Sequence, residues 1–131
     1  QYINQIQHTA VRTLLKHIKL NQGVEIHYDG DLPARSGMGS SSSFTVGLLN
    51  ALYANLGSIV SKERLAKEAT FVEQELVGDY VGCQDQIAAS FGGFNRIEFR
   101  KSGSFVVEPM LLPLLNQNDI RPTSSLVAVP L

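Results

Sequence analysis

One cysteine and a formal net charge of −1 leave this 131-residue chain without two common devices. Cys83 alone cannot close an internal disulfide, so packing must hold the fold, and a reducing compartment suits it. With 11 basic side chains against 12 acidic ones, there is no basic field to hold nucleic acid or an anionic membrane. No apolar run reaches the roughly 20 residues that a membrane span needs. The first residues also lack the pattern of a signal peptide, so a cytoplasmic setting is expected. His8, His17 and His27 show no metal-ligand spacing. Neither a repeat nor a domain boundary interrupts residues 1–131, which read as one domain. The text opens without Met and ends on the apolar LVAVPL, as expected of a piece cut from a longer protein.

What is present reads as α+β. Ile3, Ile6, Ala10, Leu14 and Ile18 recur at steps of three and four, predicting a helix over 3–18 that ends near Asn21 and Gly23. VEIHY (24–28) alternates as a half-buried strand does. Phe44, Leu48, Leu49, Leu52 and Tyr53 predict a second helix, closed by Gly57. Ser61 suits an N-cap for a third, with Leu65, Ala69, Val72 and Leu76 as its buried stripe and Gly78 as its stop. FNRIEF (94–99) and SFVVEP (104–109) predict a hairpin turning at Lys101-Ser102-Gly103, and LVAVP near the end would suit one more strand.

Three stretches could carry chemistry. LPARSGMGSSSSF (32–44) is rich in glycine and serine, as flexible linkers are, yet it sits between a strand and a strongly apolar helix. At such a junction the first helical N–H groups lack partners and the helix dipole turns its positive end to the loop. Glycines admit a close anion and serine hydroxyls add donors, which together make a phosphate cradle. Simple helix capping by Ser40–Ser43 is the competing reading. The Walker lysine and the dinucleotide fingerprint are both missing. Glu73 and Glu75 flank the third helix's stripe, and either a solvated helix charge or a Mg²⁺ ligand fits each of them. Asp85, in GCQDQ, could orient or deprotonate a substrate hydroxyl, or could cap a helix that starts near Gln86. In SFGGFN, a turn accounts for Gly92 and Gly93, and Cys83 suits a buried thiol beside the loop.

Taken in order, PARSGMGSSSSF, FVEQELVG, VGCQDQ and FGGFNRIEF resemble the GHMP kinase superfamily, from about residue 5 to about 109. Within it, the wording is closest to sugar kinases acting on D-glycero-D-manno-heptose 7-phosphate, while fucokinases share parts of the text. The resemblance implies a ribosomal-protein-S5-like N-terminal nucleotide domain, incomplete here, with a C-terminal ferredoxin-like domain lying outside this sequence. It also implies ATP and Mg²⁺ as cofactors and a sugar or sugar phosphate as acceptor. The family's phosphate loop falls on Gly37, Met38, Gly39, Ser40, Ser41 and Ser42, with Pro33 and Arg35 counted among the nucleotide-binding residues. The metal ligands would be Glu73 and a loop serine, Ser41 or its neighbour Ser40, and the catalytic aspartate would be Asp85. The family's first strand with its Gly-rich substrate motif and its last Gly-rich motif have no counterpart in 1–131, and residues 116–131 do not follow its pattern. Negligible kinase activity is therefore expected of these residues alone. Self-association through an incomplete sheet edge stays open.

Overall fold

The computed structural model describes residues 2–29 and 39–111. Four helices enclose the core: α1 (Thr9–His17), α2 (Ser40–Asn55), α3 (Lys62–Phe71) and α4 (Gln84–Phe91). A hairpin of β1 (Asn95–Phe99) and β2 (Phe105–Pro109) follows. Leu14, Leu49, Ala66, Ala69, Val72 and Ile87 are fully buried where the helices meet. Among the described residues no helix is long and apolar enough to cross a membrane.

The first helix is shorter than its periodicity suggests. A 3-10 turn at Ile3–Gln5 is separated from α1 by an extended Ile6, and the His8 ring caps α1 by accepting the Val11 N–H at 3.4 Å. Arg12 donates to the Ile6 carbonyl at 2.6 Å, holding the break in place. Spacing of three satisfies a 3-10 turn as well as an α-helix, so Ile3 and Ile6 still reach the core. The helix also stops early, with Lys19 taking a left-handed φ of 53° where Asn21 and Gly23 were expected to end it.

A second correction concerns VEIHY. Residues 24–28 have no ladder among the described residues. They run beside α2 instead, where Tyr28 meets Phe44 edge to face at 4.9 Å. Val24, Ile26, Leu48 and Leu52 line an open groove of about 480 Å³ between this segment and the helix. Alternation describes a side-chain pattern, but a strand also needs a neighbour to pair with. The LVAVP strand lies outside the described residues.

The other elements follow local signals. Gly57, at φ 70°, closes α2, and the Ser61 hydroxyl accepts the Arg64 N–H at 3.2 Å to open α3. β1 and β2 pair antiparallel with Ile97 opposite Val107, and Gly103 turns the hairpin at φ 81°. The hairpin touches the helices through Phe105, which meets Phe91 edge to face. Beyond Phe71 the helix widens into a π segment, Val72–Val77, ended by Gly78 at φ 84°. The wider turn shifts the stripe, so that Val77 packs on the core while Leu76 is half exposed.

Glu68 ties three helices together. It accepts from Tyr53 of α2 at 2.6 Å and contacts His17 of α1 at 2.8 Å, with Arg64 of its own helix at 3.4 Å. Burial opposes its charge. The hydrogen bonds from Tyr53 and His17, with the His17 and Arg64 charges, outweigh that and hold the carboxyl below its usual range. Burial, then the Glu68 hydrogen bond, pushes the Tyr53 phenol up, so it stays a donor. A carboxyl whose folded pKa is depressed adds stability above its unfolded value and loses it as pH falls through the folded one. Glu68→Gln is therefore expected to reduce stability most above about pH 4.5, and the deficit should shrink at lower pH. Urea unfolding of both proteins between pH 3 and 7 reads this, and a deficit independent of pH would refute it.

Candidate active site

Gly39 precedes α2 with φ 70° and ψ 18°, a left-handed conformation that side chains disfavour. It turns the chain so that Ser40 already lies in the helix, and Ser43 N–H bonds the Gly39 carbonyl at 2.9 Å. All four serines thus form the first turn of α2, four residues ahead of the apolar run that marks the helix in sequence. Among the described residues no side chain caps that turn, so its leading N–H groups are suited to an anion.

The serines diverge in role because successive helical residues point in different directions. Ser41 and Ser43 are exposed and Ser40 is half-buried. Ser42 turns inward with Thr45, three residues on, and both are buried. There they meet Glu73. Its Oε2 accepts from Ser42 Oγ at 2.9 Å and from Gln86 Nε2, and its Oε1 accepts from Thr45 Oγ1 at 2.8 Å. Glu73 is 2% exposed, whereas Glu75, two residues on, faces solvent. Geometry thus distinguishes two carboxylates that periodicity leaves equivalent. The reading of Glu73 as a solvated helix charge does not survive.

All three donors to Glu73 are uncharged. A carboxylate has about four acceptor positions, so one remains after these bonds. Mg²⁺ takes hard oxygen donors and commonly uses one or two carboxylates together with phosphate oxygens. Glu73 with the neighbouring serine hydroxyls offers that donor type. Among the described residues no group of three or more His, Cys, Asp or Glu could hold a metal by itself, so an ion here would need oxygens from a ligand.

Asp85 lies in the first turn of α4, whose N-cap is Cys83, so the helix starts earlier than expected and Asp85 is not its cap. The side chain is exposed. It reaches the start of α2, because a Cβ built on Gly39 would sit 3.1 Å from Asp85 Cγ and 3.2 Å from Oδ2. A side chain at this position would crowd the carboxylate and strain a backbone already at positive φ. The tertiary structure thus brings Gly39, Ser42, Glu73 and Asp85 into one region built from α2, the π segment and α4. Pro33, Arg35, Gly37 and Met38 lie outside the described residues. Ser41, expected beside the metal, is exposed, and Ser42 is the serine that bonds Glu73. Thr45 and Gln86 belong to the cluster without having been singled out. Their signal is a polar residue on a face otherwise committed to the core: Thr45 beside Val46 and Leu49, and Gln86 beside Ile87.

Comparison with known proteins identifies the family. The family model "GHMP kinases N terminal domain" matches residues 2–93. A D-glycero-alpha-D-manno-heptose 7-phosphate kinase of Campylobacter jejuni is 39% identical over 85 residues, covering 65% of this chain and 25% of that protein. A galactokinase of Pyrococcus furiosus is 36% identical over 94 residues, 70% of this chain and 26% of the relative. The chain therefore spans about a quarter of the length of these curated relatives. Among solved structures, a D-glycero-D-manno-heptose 1-phosphate kinase from Bacteriodes thetaiotaomicron superposes with a TM-score of 0.66 at 29% identity, over 80% of this chain and 35% of that one.

Proposed function

Since the chain belongs to the GHMP kinases, matched through their N-terminal domain, we propose that it forms the nucleotide-binding part of an ATP-dependent sugar kinase. In this reading a C-terminal domain completes the protein, and the acceptor is the anomeric hydroxyl of D-glycero-D-manno-heptose 7-phosphate. The observation that carries it is the position of the Asp85 carboxylate close beside Gly39 at the start of α2. It puts a proton acceptor beside the backbone that would receive a phosphate chain.

Phosphoryl transfer asks a protein for positioning and charge stabilisation more than for covalent chemistry. The N–H groups from Gly37 to Ser42 would hold the phosphates, and Pro33 and Arg35 would add to nucleotide binding. Asp85 would orient the sugar hydroxyl and accept its proton as the oxygen attacks the terminal phosphorus and ADP leaves. Glu73, with Ser42 or Ser41, would hold Mg²⁺, which when bound neutralises phosphate charge. An anomeric hydroxyl is more acidic than an ordinary alcohol, which eases the demand on its base. A cytoplasmic setting, where ATP is supplied, accords with this chemistry.

The similarity to a galactokinase favours a second reading, in which the acceptor is a hexose of the galactose or fucose type. Incubating the full-length protein with ATP, Mg²⁺ and each of heptose 7-phosphate, galactose and fucose separates the readings. The expected result is turnover with heptose 7-phosphate and a new anomeric phosphate by ³¹P NMR. Preference for galactose or fucose would select the second reading. No ATP turnover with any sugar would reject both, leaving a silent nucleotide-binding module.

A further inference from the structure

Two consecutive residues in the first turn of α4 face different ways. Asp85 is exposed and lies against Gly39, while Gln86 is fully buried and donates to Oε2 of Glu73. Neighbouring side chains on a helix diverge by about 100°, so one rigid turn fixes both placements together. Thr45, fully buried on α2, holds the other oxygen of Glu73 at 2.8 Å. The two helices that pin Glu73 are thus the two that bring Gly39 and Asp85 together.

Only one of the two polar atoms of the Gln86 amide is bonded among the described residues. Its Oε1 is buried without a partner among the described residues, and an unpaired buried acceptor is unfavourable. A methionine would fill a similar volume without that penalty. The bond from Nε2 to the buried Glu73 carboxylate is what gives an amide its place here.

We infer that Gln86, together with Thr45, is a positioning residue that sets the orientation of the Glu73 carboxylate and, through α4, its placement relative to Asp85. This rests on the kinase reading above. In the full-length protein, Gln86→Met removes the donor and the unpaired acceptor together. The expected result is a modestly lower melting temperature, since Glu73 keeps two of its three donors, with kcat reduced about 10- to 100-fold. KM for the sugar should stay within about threefold. Mn²⁺, used as an EPR probe in the presence of ATP, should bind about 10- to 100-fold more weakly. Thr45→Val, which keeps the shape and removes one donor, should move kcat and Mn²⁺ affinity in the same direction. Gln86→Met that folds with unchanged kcat and unchanged Mn²⁺ affinity overturns the inference, whatever its melting temperature. If Gln86→Met does not fold, Thr45→Val decides on the same two readouts. The kinase reading fails separately, by absence of sugar-dependent ATP turnover in the parent protein. An inactive Asp85→Asn beside a fully active Gln86→Met sinks only the positioning role.

Discussion

Replacing Asp85 by asparagine in the full-length protein is expected to lower kcat by about 100- to 10,000-fold, the usual worth of a positioned general base, while ATP affinity stays close to the parent's. Asparagine keeps the size of the side chain, so its place beside Gly39 survives. It cannot accept a proton and carries no charge. The residue is exposed, so the fold should lose little. Its one structural service is a negative charge in the first turn of α4, worth about 0.3–1 kcal/mol. Steady-state kinetics with a parallel nucleotide-binding titration separates these effects. Turnover near the parent's level would reduce Asp85 to that dipole role and remove it from the proposed chemistry.

Glu73→Ala is expected to have the largest effect on stability, a loss of roughly 3–5 kcal/mol in urea unfolding of the full-length protein, together with loss of turnover. The physical reason is the three donors it would strand. Ser42, Thr45 and Gln86 all point at Glu73 inside the core, and each buried group left unpaired costs about 1–3 kcal/mol. Partial relaxation and entry of water keep the sum below the simple total. Glu73→Gln should lie between, at roughly 1–3 kcal/mol, because an amide has one accepting atom where the carboxylate has two. Stability within about 1 kcal/mol of the parent in Glu73→Ala would mean that the carboxylate does not hold this cluster.

The elements that were legible are those whose causes lie within a few residues. The Ser61 cap, the Gly57 and Gly78 stops and the turn at Gly103 each depend on one side chain or one left-handed φ. The helix over 3–18 was overread because spacing of three does not tell a 3-10 turn from an α-helix, and the break depends on Arg12 reaching Ile6. The strand at 24–28 was overread because pairing is not a property of the strand's own residues. For the site, the loop glycine, Glu73 and Asp85 were legible as residue types beside helix ends. Thr45 and Gln86 were not, since a buried polar side chain acquires meaning only from the partner it meets.

By itself the sequence determined the helical stripes, the hairpin and its turn, and family membership through the text from the glycine-serine loop to FGGFNRIEF. Local hydrogen bonding and the alternation of apolar with polar residues suffice for these. Tertiary structure alone decided which acid is buried, which serine meets it and what lies beside Gly39. Glu73 and Ser42 are 31 residues apart and Glu73 and Gln86 are 13 apart, so no local spacing encodes their meeting. Packing α2, the π segment and α4 around one core turns Glu73 inward and sets Asp85 against the start of α2.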